Sequence, residues 1–224
     1  MNANILIFLL LAANNLFCQN QIKYDKRIVD NYSEIGILEA PFMIDELIEI
    51  YKKDSLVVKN VFNSSIYKRT EYTQYCYNVC AGFFYTKLIE NRNNENKLVV
   101  DKIISELDYE KYIIKPEINW SNVFRTCLTC PFGEYPDDRF FYFQYSILLM
   151  EEFEIKEMIK YNNGEQWKYA IMAIKGGDAF TLDKSESYSQ YVLDRRKANY
   201  IIEKWKDSDI KEVQELIAVY KSVM

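Results

Sequence analysis

Apolar residues recur along the chain at the three- and four-residue spacing of helices, not in the alternation of half-buried strands. The clearest instance follows Pro41, a residue suited to a first helical position, where Ile44, Leu47, Ile48 and Tyr51 fall on one stripe. Asp45, Glu46 and Glu49 lie opposite and early, and Lys52 and Lys53 late, the order a helix dipole favours. Leu56-Val57-Val58 suits either a strand or a helix. Asn63-Ser64-Ser65 offers a helix start, from which one long helix to Glu90 carries Ile66, Tyr72, Tyr75, Cys76, Val79, Cys80, Phe83 and Phe84. The dense tyrosines would also suit strands, but alternation fails at Ala81-Gly82-Phe83. Residues 91–96 predict a polar loop, and 98–109 an amphipathic helix with Val99, Ile103, Ile104 and Leu107 on its stripe.

Lys115-Pro116 breaks that pattern, after which Asn119 or Ser121 can cap a short helix delivering Cys127 and Cys130. Asp137 and Asp138 then start a long run through Ile147, Leu148, Met150, Phe153, Ile155, Met158 and Ile159. Helix fits this run from Ser146 onward, and residues 140–145 fit a strand as an alternative. Asn162-Asn163-Gly164 predicts a turn, Trp167 to Ile174 an apolar helix, and Gly176-Gly177-Asp178 a break. A helix over 188–205, charged at Asp194, Arg195, Arg196 and Lys197, is expected to be solvated. Asp207-Ser208-Asp209 is expected to cap a last helix with Ile210, Val213, Leu216, Ile217 and Tyr220 on one stripe. The sum is an all-α single domain of seven or eight helices, an irregular bundle or short α-solenoid with room for a minor strand element. Nothing recurs at a fixed period, so no repeat family is assigned.

The first residues change the setting. Ile5 to Ala13 form an apolar run of signal-peptide length, too short to cross a bilayer, followed at once by Asn14, Asn15, Gln19, Asn20 and Gln21. Residues 1–18 therefore read as a signal peptide and 19–224 as one helical domain, secreted or periplasmic. Leu16 and Phe17, bulky where lipoprotein processing wants a small residue, argue against a lipid anchor at Cys18. Outside that segment the cysteines are Cys76, Cys80, Cys127 and Cys130, two tight pairs about fifty residues apart. In an oxidising compartment they read as disulfides, with three possible connectivities. Helical neighbours four residues apart have Cβ atoms about 5–6 Å apart, whereas a disulfide wants about 3.5–4.5 Å. Two antiparallel helices would favour a nested ladder of Cys76 with Cys130 and Cys80 with Cys127. Pro131 biases Cys130 out of the helical region, which favours local closure of the second pair instead. Four thiolates would also suit zinc by number, but not by compartment.

Composition removes most chemistry. The chain of 224 residues holds no histidine, so it has no Ser-His-Asp triad, no Cys-His pair and no imidazole ligand for a metal. A formal net charge of −5, with Lys and Arg spread along the chain, gives no electrostatic footprint for nucleic acid. Aromatic residues make up 16%, tyrosine foremost; much of this must be core, and tyrosine is also the residue that interfaces recruit. The densest carboxylates, Glu151, Glu152 and Glu154 with Asp137 and Asp138, resemble a glycosidase pair only in type. Helix-start and solvent-face roles explain them better. Lys184, Ser185 and Ser187 lack a Ser-Lys spacing, and Gly176-Gly177-Asp178 lacks the strand and glycine pattern of a phosphate loop. Asn31, Asn63 and Asn119 stand in glycosylation sequons, which matter only in a eukaryotic host. No catalytic residue, cofactor or metal is expected. The expectation is an exported, non-catalytic protein that binds another protein through an acidic, tyrosine-bearing face, as an inhibitor or immunity-type factor would. Two alternatives are a carboxylate-dependent hydrolase of an extracellular polymer and a helical domain that encloses an apolar small ligand.

Overall fold

The structure, a computed structural model, describes residues 25–31, 36, 39–57, 71–106, 144, 147–148, 150–160, 164–177, 180–185 and 187–224. For 71–80, Asn31 and Gln166 it describes the backbone alone. In chain order the elements are α1 (Lys26–Asn31), a 3-10 turn (Ala40–Phe42), α2 (Ile44–Lys53), α3 (Glu71–Asn91) and α4 (Lys97–Glu106). They continue with α5 (Glu152–Lys160), α6 (Glu165–Gly176), α7 (Tyr188–Trp205) and α8 (Lys211–Val223). Among the described residues there is no strand, and the fold is an all-α single domain. One contiguous core runs from Ile28 through Leu47, Phe84 and Ile103 to Trp167, Ile201, Leu216 and Tyr220, which ties both halves of the chain into one body. Of the strand alternative over 140–145, Gln144 is helical and the rest lies outside the described residues.

Pro41 starts no long helix. It sits in the 3-10 turn, and Met43, at φ −137 and ψ 40, interrupts the helical path before α2 begins. Helix α2 then buries Ile44, Leu47, Ile48 and Tyr51 as its periodicity predicts, and it also buries Glu46 and Ile50. Against α2 pack α1, α3 and α4. The polar stretch between α3 and α4 is held by asparagines: Asn93 Oδ1 accepts the N–H groups of Glu95 and Asn96 at 2.9 and 3.1 Å. Asn96 Oδ1 accepts the Asn93 N–H in return, at 2.8 Å, so the start of α4 is capped without a Ser or Asp. Helix α4 turns Val100 and Ile103 inward, with Val99 and Ile104 flanking and Leu98 in solvent. Its buried stripe is thus rotated by about one residue from the expected Val99–Ile103–Ile104 line.

The run expected as one helix from residue 146 is broken at Met150 and Glu151, and α5 begins only at Glu152. The cause lies on α7. Trp205 Nε1 donates to the Ile147 carbonyl at 2.8 Å, and Lys204 Nζ donates to the Leu148 and Met150 carbonyls at 2.7 and 2.6 Å. These side chains take carbonyls that a continuing helix would have bonded internally. Glu154 restarts it by accepting the Glu151 N–H at 2.8 Å. Gly177, at φ 81, closes α6 in the left-handed conformation that glycine enters without steric cost. The last helix departs from expectation at its start. Ile210 occupies the cap position with no side-chain hydrogen bond of its own, and of the expected Asp207-Ser208-Asp209 cap it is Ser208 whose Oγ accepts the Ile210 N–H, at 3.2 Å. Gln214 Nε2 also reaches back to the Trp205 and Ser208 carbonyls at 3.2 and 2.8 Å. Helix α8 packs on α6 and α7, and α7 also meets the 3-10 turn and α1. Among the described residues no helix is long and apolar enough to cross a membrane.

Candidate functional site: a seam of buried charge along α7

Helix α7 begins where Ser187 Oγ accepts the Gln190 N–H at 3.4 Å. Its charges were expected in solvent; they are not there. Asp194 is 5% exposed and Lys197 1%, and Arg195 and Arg196 are partly buried. Each charged group meets a partner that replaces water.

Arg196 makes the strongest of these contacts. Its guanidinium donates to both oxygens of Glu46 at 2.8 and 3.0 Å and to the Phe42 carbonyl at 2.8 Å. Glu46, placed on the polar face of α2 by its spacing, is therefore fully buried as the acceptor of a bidentate fork. Burial disfavours the Arg196 cation, but the Glu46 carboxylate outweighs it and raises its pKa. The other Glu46 contact, from the Asp25 N–H at 3.0 Å, carries the seam to the start of α1.

Asp25 accepts the Tyr188 hydroxyl at 2.6 Å and the Arg27 guanidinium at 3.0 and 3.1 Å. Arg27 also lies 4.1 Å above the Tyr188 ring. Burial pulls the Asp25 carboxyl upward, but the bonds from Arg27 and Tyr188 together hold it down at about 2, against an ordinary 3.8. A depressed folded-state value means stability that is present above pH 3.8 and lost as pH falls through about 2. After solvent screening the contribution is about 1 kcal/mol. Tyr188→Phe is accordingly expected to destabilise the protein by about 1 kcal/mol near neutrality and by less near pH 2. Urea unfolding across that range measures it, and an equal loss at both ends would refute the assignment.

Asp194 anchors the opposite side. It accepts the Thr181 N–H at 2.8 Å and Gln190 Nε2 at 2.6 Å, and its Oδ1 stands 3.7 Å from Lys197 Nζ. Arg195 donates to the Thr181 carbonyl at 2.9 Å and stacks 3.4 Å from the Tyr191 ring centre. Lys197 points across to the turn, 5.7 Å from the Phe42 ring centre. Glu39, partly buried at the entry of that turn, is pushed above the ordinary glutamate range chiefly by burial, with the Lys197 charge opposing and the Asp194 charge adding. The spacing rules named neither Asp25, Glu39 nor Tyr188 as members of a site.

The residues expected to carry function from sequence are placed as follows. Cys76 and Cys80 lie one turn apart on α3, while Cys127 and Cys130 lie outside the described residues, as do Asp137 and Asp138. Glu151, Glu152 and Glu154 are not drawn together around a cleft: Glu152 pairs with Lys156 and Glu154 bonds the Glu151 N–H. Ser185 donates its N–H to Asp183, and Ser187 caps α7. Among the described tyrosines, Tyr51 and Tyr220 are buried, Tyr188 and Tyr191 are half-buried and hold arginines, and Tyr200, which packs edge-on against Phe42, is exposed, as is Tyr169. Burial and the facing Glu106 carboxylate push the Tyr51 hydroxyl up to about 12. Among the described residues no group of three or more His, Cys, Asp or Glu could hold a metal ion. No protein-family model matches the chain, and no curated protein or solved structure matches it either.

Proposed function

We propose that the protein is exported and works by binding another protein without catalysing a reaction, as an inhibitor or immunity-type factor does. The fate of the carboxylates supports this most. A general acid or base needs a carboxyl open to substrate. Asp25, Glu46 and Asp194 are instead held by arginine, tyrosine, glutamine and backbone N–H groups of the same chain. Glu152 and Glu154 serve α5 itself.

The outer face of α6 is the surface this reading assigns to the partner; it bears a tyrosine, but its flanking charges are basic where the sequence suggested an acidic face. Tyr169 and Met172 lie one turn apart there, with Lys168 and Lys175 beside them, while Trp167, Ala170, Ile171 and Ile174 face inward. Met172 is 69% exposed, a flexible apolar side chain of the kind adaptable interfaces use. The proposal includes the nested ladder of Cys76 with Cys130 and Cys80 with Cys127; a free-thiol count on the unreduced, denatured protein would test whether bridges exist, and a peptide map without reduction would test their pairing.

The full chain, immobilised and exposed to native extract, is expected to retain one protein in stoichiometric amount by mass spectrometry. Met172→Glu, on a side chain that leaves the core untouched, is expected to weaken that capture about tenfold or more with an unchanged melting temperature. Equal capture by both would remove α6 from the reading. No capture by the wild-type chain, together with cleavage of an extracellular polysaccharide, would replace binding by the carboxylate enzyme.

A further inference from the structure

Helix α6 packs on α8 and turns Trp167, Ala170, Ile171, Ala173 and Ile174 inward. Tyr169 and Met172 are left on its outer side, and the apolar surface does not stop where the helix does. Gly177 closes α6, and a side chain placed there would meet Leu182 Cδ1 at 3.5 Å, so Leu182, 44% exposed, lies against the end of the helix. Its neighbour fixes it there. Thr181 gives its N–H to Asp194 and its carbonyl to Arg195, which pins this segment to α7. Tyr169, Met172 and Leu182 thus line one strip that is ordered before anything docks on it.

The charges beside the strip are positive although the chain as a whole is acidic. Lys168 and Lys175, seven positions apart, share one edge of α6 about 10 Å apart along its axis, and Lys184 follows Leu182 by two. Elsewhere Lys52, Lys156 and Lys160, just as exposed, each pair with a glutamate of their own helix. Among the described residues Lys168, Lys175 and Lys184 have no such carboxylate. The acids nearby have roles of their own: Glu165 stands in the first turn of α6, where the helix dipole favours it, and Asp183 accepts the Ser185 N–H at 2.8 Å.

We infer that the surface docking on α6 is acidic, with an apolar contact for Met172 set between carboxylates about 10 Å apart that reach Lys168 and Lys175. This rests on the reading of α6 as the partner's surface and adds the chemistry of what docks there. Opposite charges at the edge of an interface speed encounter and fix its register, while the apolar centre supplies the hold. An anionic bilayer fits less well. It is wider than the strip and would also face the acidic remainder of a chain whose net charge is −5.

The probe is the protein that the immobilised full chain retains from native extract. Treated with a carbodiimide, which joins a carboxylate to an ammonium only where the two touch, the complex is expected to yield links from Lys168 or Lys175 to Asp or Glu of the retained protein. Lys168→Glu with Lys175→Glu is expected to weaken capture about tenfold or more and to remove most of its salt dependence, with an unchanged melting temperature. Lys97→Glu with Lys211→Glu, an equal change of net charge on exposed residues of α4 and α8, is expected to leave capture as it is. Capture that survives the α6 reversal, or links that avoid both lysines, would overturn the acidic partner and leave the protein-binding reading in place. Retention of no protein would overturn both. Sedimentation of the wild-type chain with mixed vesicles of phosphatidylcholine and phosphatidylglycerol, lost in the α6 reversal, would replace the acidic protein by a membrane.

Discussion

Glu46→Ala is expected to destabilise the fold by about 3–5 kcal/mol, more than any surface substitution, because it strands a partly buried guanidinium. Arg196 has 24% of its side chain in solvent and Glu46 only 1%, so the two deletions are not equivalent. Removing the carboxylate leaves Arg196 a partial escape to water, whereas Arg196→Ala leaves Glu46 an ion without any. Arg196→Ala is therefore expected to cost at least as much. The double replacement Glu46→Leu with Arg196→Met is expected to cost less than either single one, since an apolar pair of similar volume avoids both desolvation penalties. Urea unfolding of the wild type, Glu46→Leu, Arg196→Met and their double variant gives the coupling energy as a double-mutant cycle. A double variant less stable than the sum of the singles would show that the ion pair does something other than satisfy two buried charges.

The second large effect concerns Trp205. Its ring is buried at 7% exposure beneath the Lys204 ammonium, and its Nε1 holds the Ile147 carbonyl. Trp205→Ala combines lost burial with an unpaired carbonyl and is expected to cost about 4–5 kcal/mol. Trp205→Phe keeps most of the volume and loses the donor, so about 1–2 kcal/mol is expected. The difference between the two separates packing from hydrogen bonding. If phenylalanine proved as costly as alanine, the bond to Ile147, and with it the explanation for the break before α5, would outweigh the packing.

Periodicity located the helices well and their charges poorly. The bounds of α7 were legible at both ends, and the inward stripes of α2 and α8 were legible in Leu47, Ile48, Tyr51, Val213, Leu216 and Tyr220. What spacing could not convey is that a charged residue faces inward when its partner lies 150 positions away, as Arg196 does from Glu46. A warning was present all the same. Consecutive helical residues step about 100° around the axis, so four charges in a row at 194–197 cover almost every side of α7, and they cannot all reach solvent from a helix packed on α1, the 3-10 turn and α8. The break at Met150 was illegible for the same reason: its cause, Lys204 and Trp205, sits on another helix. The cysteine pairs remain an expectation built on α3, whose turn spacing keeps Cys76 and Cys80 on one side.

The bonds from Tyr188 to Asp25 and from Arg196 to Glu46 span 163 and 150 positions. A ribosome assembling this chain finishes α1, the 3-10 turn and α2 long before α7 emerges, so those early segments wait with Glu46 hydrated and their docking surface open. Maturation of these early helices is thereby postponed until α7 has been made, and such distant closures are slow to form.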